Sequence, residues 1–228
     1  MRLLALETST DLGSVALWED GRVLEKFCPV GRSHSETLLP LVQSLLAEAG
    51  WVLNGLDGIA FGAGPGAFTG LRVACGVAQG LAVGAGLQLV PVTSLAAIAC
   101  AAAAEHCLAV LDARMGEVYS GIFECRAGRY VQSGILRVST PAELILPDAP
   151  CLVAGNALLA YPALAERVAA AGLPTAPTIM PLASAVGILA APVLDAGEAI
   201  DPALAAPLYV RDKVAQTVAE RLAGGGKA

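Results

Sequence analysis

The chain has 228 residues and a formal net charge of −6, from 14 Lys and Arg against 20 Asp and Glu. That balance, with no run of cations, argues against a broad nucleic-acid footprint on this chain alone, because phosphate contacts need clustered Lys and Arg. Hydrophobic residues make up 56% and mean hydropathy is +0.66; the excess is mostly alanine and glycine, which reads as tight packing in one large domain or two small ones.

In chain order, Arg2–Thr8 is an apolar run suited to a buried strand. The N-terminus turns polar after four apolar residues, too short for a signal-peptide core, so a cytoplasmic protein with no membrane partner is expected. Residues 13–28 are two alternating segments around Asp20-Gly21, a two-residue hairpin signal. Ser33 to Glu36 is a capping box opening a helix to about Ala49, kinked at Pro40. Leu56–Phe61 is a strand, and the glycine-rich FGAGPGAFTGLR (61–72) follows it. Thr69 is placed to cap a helix reaching about Ala85.

Residues 73–104 carry no charge. A spanning helix needs ~20 continuous apolar residues; here Gly76, Gly80, Gly84 and Gly86, Gln79, Gln88 and Pro91 break the run. It reads as helix, turn, strand and helix, all buried. The first half is therefore βββαβαβα.

The second half begins like the first. Residues 107–134 are a buried strand and a hairpin turning near Ala127-Gly128. Thr140-Pro141-Ala142-Glu143 starts a helix with cap, Pro at N1 and capping-box Glu. Cys151–Gly155 is a strand, helices follow around 157–171 and 181–195, and the last residues offer a short ordered stretch, a helix and a loose tail. LLALETSTDLGSVALWEDG is echoed by LAVLDARMGEVYSGIFECRAG, so Glu7 and Asp112 both end a first strand before a turn and hairpin. The expected fold class is α/β: two lobes, 1–105 and 106–228, each a mixed sheet of βββαβα type flanked by helices, the C-terminal tail packing back on the first lobe. A cleft between strand ends is where ligands of such folds lie.

The glycine loop lacks the Lys-Ser/Thr of a P-loop and misses dinucleotide spacing. Two readings stand: backbone N–H groups at a helix N-terminus that bind an anion, or glycines that let backbones approach closely. The vestigial nucleotide or anion set is Glu7, Thr8, Ser9, Gly64, Gly66 and Asp112. Glu7 and Asp112 suit a hydrated Mg²⁺ on a nucleotide, although turn N–H groups are the favoured partners of strand-end carboxylates. Gly76, Gly80 and Gly84 recur every fourth residue and leave a bare helix face for close approach. With Leu38, Leu39, Val42, Leu45 and Leu46 on the preceding helix, and His34 and Arg72 beside them, they form a candidate partner interface; burial within the chain is the alternative. His34 and His106 have no metal-ligand spacing, and the six scattered cysteines read as buried thiols. No catalytic residue and no metal ligand is assigned.

The segments at 3–17, 32–42, 61–82, 91–99, 112–119 and 207–211 together resemble the TsaB (YeaZ) family of the sugar kinase/actin-like superfamily. The resemblance implies two actin-like lobes and a part in forming N6-threonylcarbamoyladenosine at adenosine 37 of tRNA. In that family a catalytic paralogue, TsaD, transfers the threonylcarbamoyl group, and the ATPase TsaE is also required. TsaD carries a metal-binding H-x-x-x-H; the corresponding stretch here, Val92–Ile98, has Ser94 and Ile98 at those positions. The implied role is a non-catalytic scaffold that binds TsaD and, with it, TsaE, self-associates as a homodimer when alone, and meets tRNA through the complex. No cofactor is required of the chain, ATP and Mg²⁺ being weak ligands at most and supplied in the complex through TsaD and TsaE; the alternative readings are a stand-alone actin-like nucleotide-binding enzyme and a glycoprotease-like peptidase.

Overall fold

The computed structural model describes residues 1–211; the helix and loose tail expected at the end of the chain lie outside the described residues. Its first sheet comprises β1 (Arg2–Glu7), β2 (Ser14–Glu19), β3 (Arg22–Phe27), β4 (Gly58–Gly64) and β5 (Leu89–Thr93), ordered β3-β2-β1-β4-β5. The second comprises β6 (His106–Arg114), β7 (Glu117–Arg126), β8 (Arg129–Ser139), β9 (Leu152–Ala154) and β10 (Thr175–Ala176), ordered β10-β9-β6-β7-β8. In both, the first three strands are antiparallel neighbours and the last two add in parallel. The weak echo between the halves is thus a shared topology.

Both expected hairpins form with two-residue loops. Glu19 pairs with Arg22 across Asp20 (φ 49°) and Gly21 (φ 86°), and Arg126 pairs with Arg129 across Ala127 (φ 50°) and Gly128 (φ 77°). Positive φ at both loop residues gives the twist that matches the flanking strands.

The helices are α1 (His34–Ala49), α2 (Phe68–Ala85), α3 (Ser94–Ala101), α4 (Ala157–Ala160), α5 (Pro162–Ala170) and α6 (Ala183–Asp195). Helices α1 and α2 cover one face of the first sheet, and α4 and α5 cover one face of the second. The middle layer is exchanged. Helix α3 follows the first sheet yet packs on β6, β7 and β8, whereas α6 follows the second and packs on β1, β2, β4 and β5; the two also touch each other. The start of α6 is held by the first sheet, since Ser14 Oγ accepts the Ala183 N–H and the Glu25 carboxylate accepts that of Ser184.

Three local expectations are corrected. The Ser33 side chain makes no cap bond, and Glu36 pairs with Arg32 at 3.4 Å instead of closing the box. Ala67, not Thr69, occupies the α2 cap position. At Thr140–Glu143 the capping-box bonds form, with the Thr140 hydroxyl and Glu143 carboxylate 2.8 Å apart, but no helix follows. Pro147 lacks an N–H and biases Leu146 away from helical backbone, and the Arg167 guanidinium takes the Pro141 and Leu144 carbonyls.

Candidate functional site

The two strand-end carboxylates do the same job. The Ser9 N–H donates to Glu7 Oε1 at 2.6 Å, and the Arg114 N–H donates to Asp112 Oδ1 at 2.8 Å, so each acid takes the N–H two residues on, Glu7 at the turn after β1 and Asp112 at the register shift near the end of β6. Glu7 is fully buried, with the Ser94 hydroxyl donating to Oε2 at 3.0 Å. Burial pushes its pKa up, opposed by the bonds from Ser9 and Ser94. Asp112 also accepts the Tyr161 hydroxyl at 2.7 Å. Burial, and then this bond, push that phenol up to about 12. Arg114 reaches both Asp112 and, from the other lobe, Asp11.

The glycines of the loop are there for close approach. A Cβ on Gly62 would lie 2.0 Å from Glu7 Oε2, and one on Gly70 would lie 1.8 Å from the Thr8 carbonyl oxygen. The Thr8 hydroxyl donates to Gly70 O, and the Ala67 N–H donates to Ser9 O. The loop is thereby stitched onto the Thr8–Ser9 turn, and Glu7 and Thr8 are committed to it.

Of the six nucleotide-set residues, Ser9, Gly66 and Asp112 line a cleft between the two lobes, and Glu7, Thr8 and Gly64 do not. The cleft holds about 220 Å³, below the ~300–1,000 Å³ usual for small-molecule sites. Leu208–Arg211 line it too, a segment that carries part of the family resemblance and belongs to the tail expected to pack back on the first lobe. Among the described residues no three His, Cys, Asp or Glu side chains converge as metal ligands would.

The outer face of α1 and α2 divides cleanly. Leu38, Val42 and Leu45 lie one helical stripe apart (i, i+4, i+7) and sit fully in the core, so they offer nothing to a partner, which corrects the interface set. Leu46 packs partly on the same cluster, and Leu39 is exposed at 41%. His34 Nε2 lies 2.9 Å from the Thr10 carbonyl and ties α1 to the strand-end turn. Arg72 stacks over Phe68 at 3.8 Å, and its Nε donates to the Tyr209 hydroxyl. Ala74, Ala78 and Ala82 are buried, whereas Gly76, Gly80 and Gly84 are exposed, with nothing within 4 Å of any added Cβ. The expectation that all of this helix is buried is corrected on that face. By length and composition α2 is apolar enough to cross a membrane, but here its alanine side lies on β4.

Residues 29–145 match the family model described as TsaD: tRNA N6-adenosine threonylcarbamoyltransferase. The chain is 47% identical over 125 residues to the tRNA threonylcarbamoyladenosine biosynthesis protein TsaB of Escherichia coli, covering 52% of this chain and 53% of that protein. It spans about half the length of the curated relatives it matches. The solved structure of YeaZ from Pseudomonas aeruginosa superposes with a TM-score of 0.81 at 37% identity, covering 91% of this chain and 99% of that one. The chain belongs to the TsaB (YeaZ) family.

In this TsaB-family chain the two positions that the resemblance aligns with the TsaD histidines are both sealed in the core. Ser94 is spent on Glu7 and Ile98 lies in the cluster between α3 and the second sheet. The contacts that sequence reasoning missed are Phe68–Tyr209, Tyr161–Asp112 and Arg211–Glu117. For the first and last, the available signal was segment 207–211 (PLYVR), one of those that carry the family resemblance; the Tyr161 contact had none.

Proposed function

We propose that this chain is a non-catalytic subunit of the machinery that forms threonylcarbamoyladenosine on tRNA. It acts by binding the catalytic paralogue TsaD through the outer face of α2, and the ATPase TsaE joins that pair. When alone, the chain uses the same face to self-associate. The observation that carries the reading is the open glycine strip: Gly76, Gly80 and Gly84 leave 4 Å of clear space beside an exposed Val83. Such a bare helix face stabilises nothing in the monomer, where glycine costs helix stability. It suits a second helix at close range. Family membership supports TsaD as that partner, because paralogous lobes present matching helices.

In this reading tRNA is met through the complex, consistent with the acidic balance, and the chain needs no cofactor of its own. Ser94 and Ile98, in place of metal ligands, support the assignment of chemistry to the partner. The deciding experiment is reconstitution with a threonylcarbamoyl-AMP synthetase, TsaD and TsaE, with and without this chain, measuring modified adenosine in tRNA. Product that depends on the chain is expected; equal product in both reactions refutes the proposal.

A further inference from the structure

After α6 the backbone returns along the first lobe. Ile200 exchanges backbone hydrogen bonds with Leu89, Gln79 donates to the Pro202 carbonyl, and the Leu208 N–H donates to Ala63 O at 2.7 Å, at the end of β4. The Tyr209 ring then packs on Phe68 at 5.7 Å, and its hydroxyl accepts from Arg72 at 3.0 Å. Two residues later the chain is on the other lobe. Arg211 donates to the Ala113 carbonyl at 3.0 Å and pairs with the Glu117 carboxylate, its guanidinium 5.9 Å from the Tyr119 ring. Four residues therefore join β4 and α2 of the first lobe to the β6–β7 turn of the second, along the cleft that they help to line.

Sequence features accommodate this crossing. The Leu208 carbonyl oxygen is 3.0 Å from where a Cβ on Gly64 would sit, and Gly64 has φ +115°, a backbone closed to other residues. The other side-chain tie between the turns, Asp11 to Arg114, is 90% and 69% exposed and contributes little. The Arg211 and Glu117 side chains are 16% and 36% exposed, and the guanidinium lies over an aromatic ring, so this pairing is less screened.

We propose that Leu208–Arg211 is a clasp that fixes the spacing of the two strand-end turns, and that Arg72 couples it to α2. The exchanged helices α3 and α6 join the lobes through their cores; the clasp sets how far the turns at 8–13 and 112–117 stand apart. Because Arg72 lies on the same helix as the glycine strip, movement of α2 is transmitted through Tyr209 and Arg211 to the second lobe.

Amide hydrogen exchange on the full chain tests this, with each perturbation read on the opposite lobe. Tyr209→Phe, which removes one hydroxyl, and Arg72→Leu should each raise exchange of the 112–117 peptide by about fivefold, the factor that one ordinary hydrogen bond carries. Arg211→Gln should do the same to the 8–13 peptide, since coupling is reciprocal. In all three the β1 and β4 peptides should keep their rates. Faster exchange confined to 205–211 would overturn the proposal, as the strap would then lie on one lobe without holding the other. A rise that also covers β1 and β4 overturns it too, because a clasp acts on spacing and not on either core.

Discussion

The substitution Gly80→Leu separates the monomer's interest from the partner's. In the monomer nothing lies within 4 Å of a Cβ at Gly80, so leucine enters open space without strain. Leucine is a far better helix former than glycine, by about 0.6–0.9 kcal/mol in a helix interior. For a chain of this size that corresponds to a rise in Tm of about 1–4 °C. For a helix packed against the strip the sign reverses. Each added leucine must be accommodated against a close backbone, and overpacking of that kind costs roughly 1–3 kcal/mol. That is about 5- to 150-fold in affinity for TsaD, and more for a self-dimer that carries the residue on both sides. Calorimetric melting of the monomer, with sedimentation velocity and titration against TsaD, reads the two effects separately. A more stable monomer with undiminished association would refute the reasoning, because the strip would then face solvent in every state.

Other outcomes follow from the same geometry. Gly62→Ala places a methyl 2.0 Å from Glu7 Oε2 in a sealed site and should cost about 1–3 kcal/mol in denaturant unfolding, unlike Gly80→Ala on the open face, which should stabilise by about 0.8–1 kcal/mol. Glu7, raised by burial from its usual 4.5, favours the folded state most when protonated. Its contribution is present below pH 4.5 and is lost as pH rises through the folded value. Glu7→Gln should therefore flatten the pH dependence of stability above 4.5 and leave the neutral-pH protein at least as stable, measured by urea midpoints across pH. Tyr161→Phe leaves Asp112 short of one donor and should cost about 1 kcal/mol. It should also remove one of the two tyrosines raised to about 12, the other being Tyr130, from an alkaline absorbance titration.

Legibility followed the range of the interactions involved. Asp20-Gly21 and Ala127-Gly128 announced their hairpins because the positive φ they adopt is a property of the loop itself. The glycine loop was legible as either an anion cradle or a close approach, and the sequence left both open; the close approach is made to Thr8, Ser9 and Glu7, some sixty residues away. Glu36 and Glu143 show the limit of a capping rule. Both stand three residues after a hydroxyl, yet one is drawn off by Arg32 and the other caps a helix that Pro147 prevents.

By itself the sequence determined the strand and helix order of the first half, the duplicated turn with its carboxylate, and the family. Those depend on local backbone preference and on hydrophobic period, which each segment carries with it. Only the tertiary structure decided which leucines of α1 are core and which glycines of α2 look outward. It alone sent α3 and α6 across to each other's sheets and drew Leu208–Arg211 along the cleft. An apolar face looks the same in sequence whether its own sheet, the opposite sheet or a partner covers it; what distinguishes them is which surface lies within contact distance once both lobes are built.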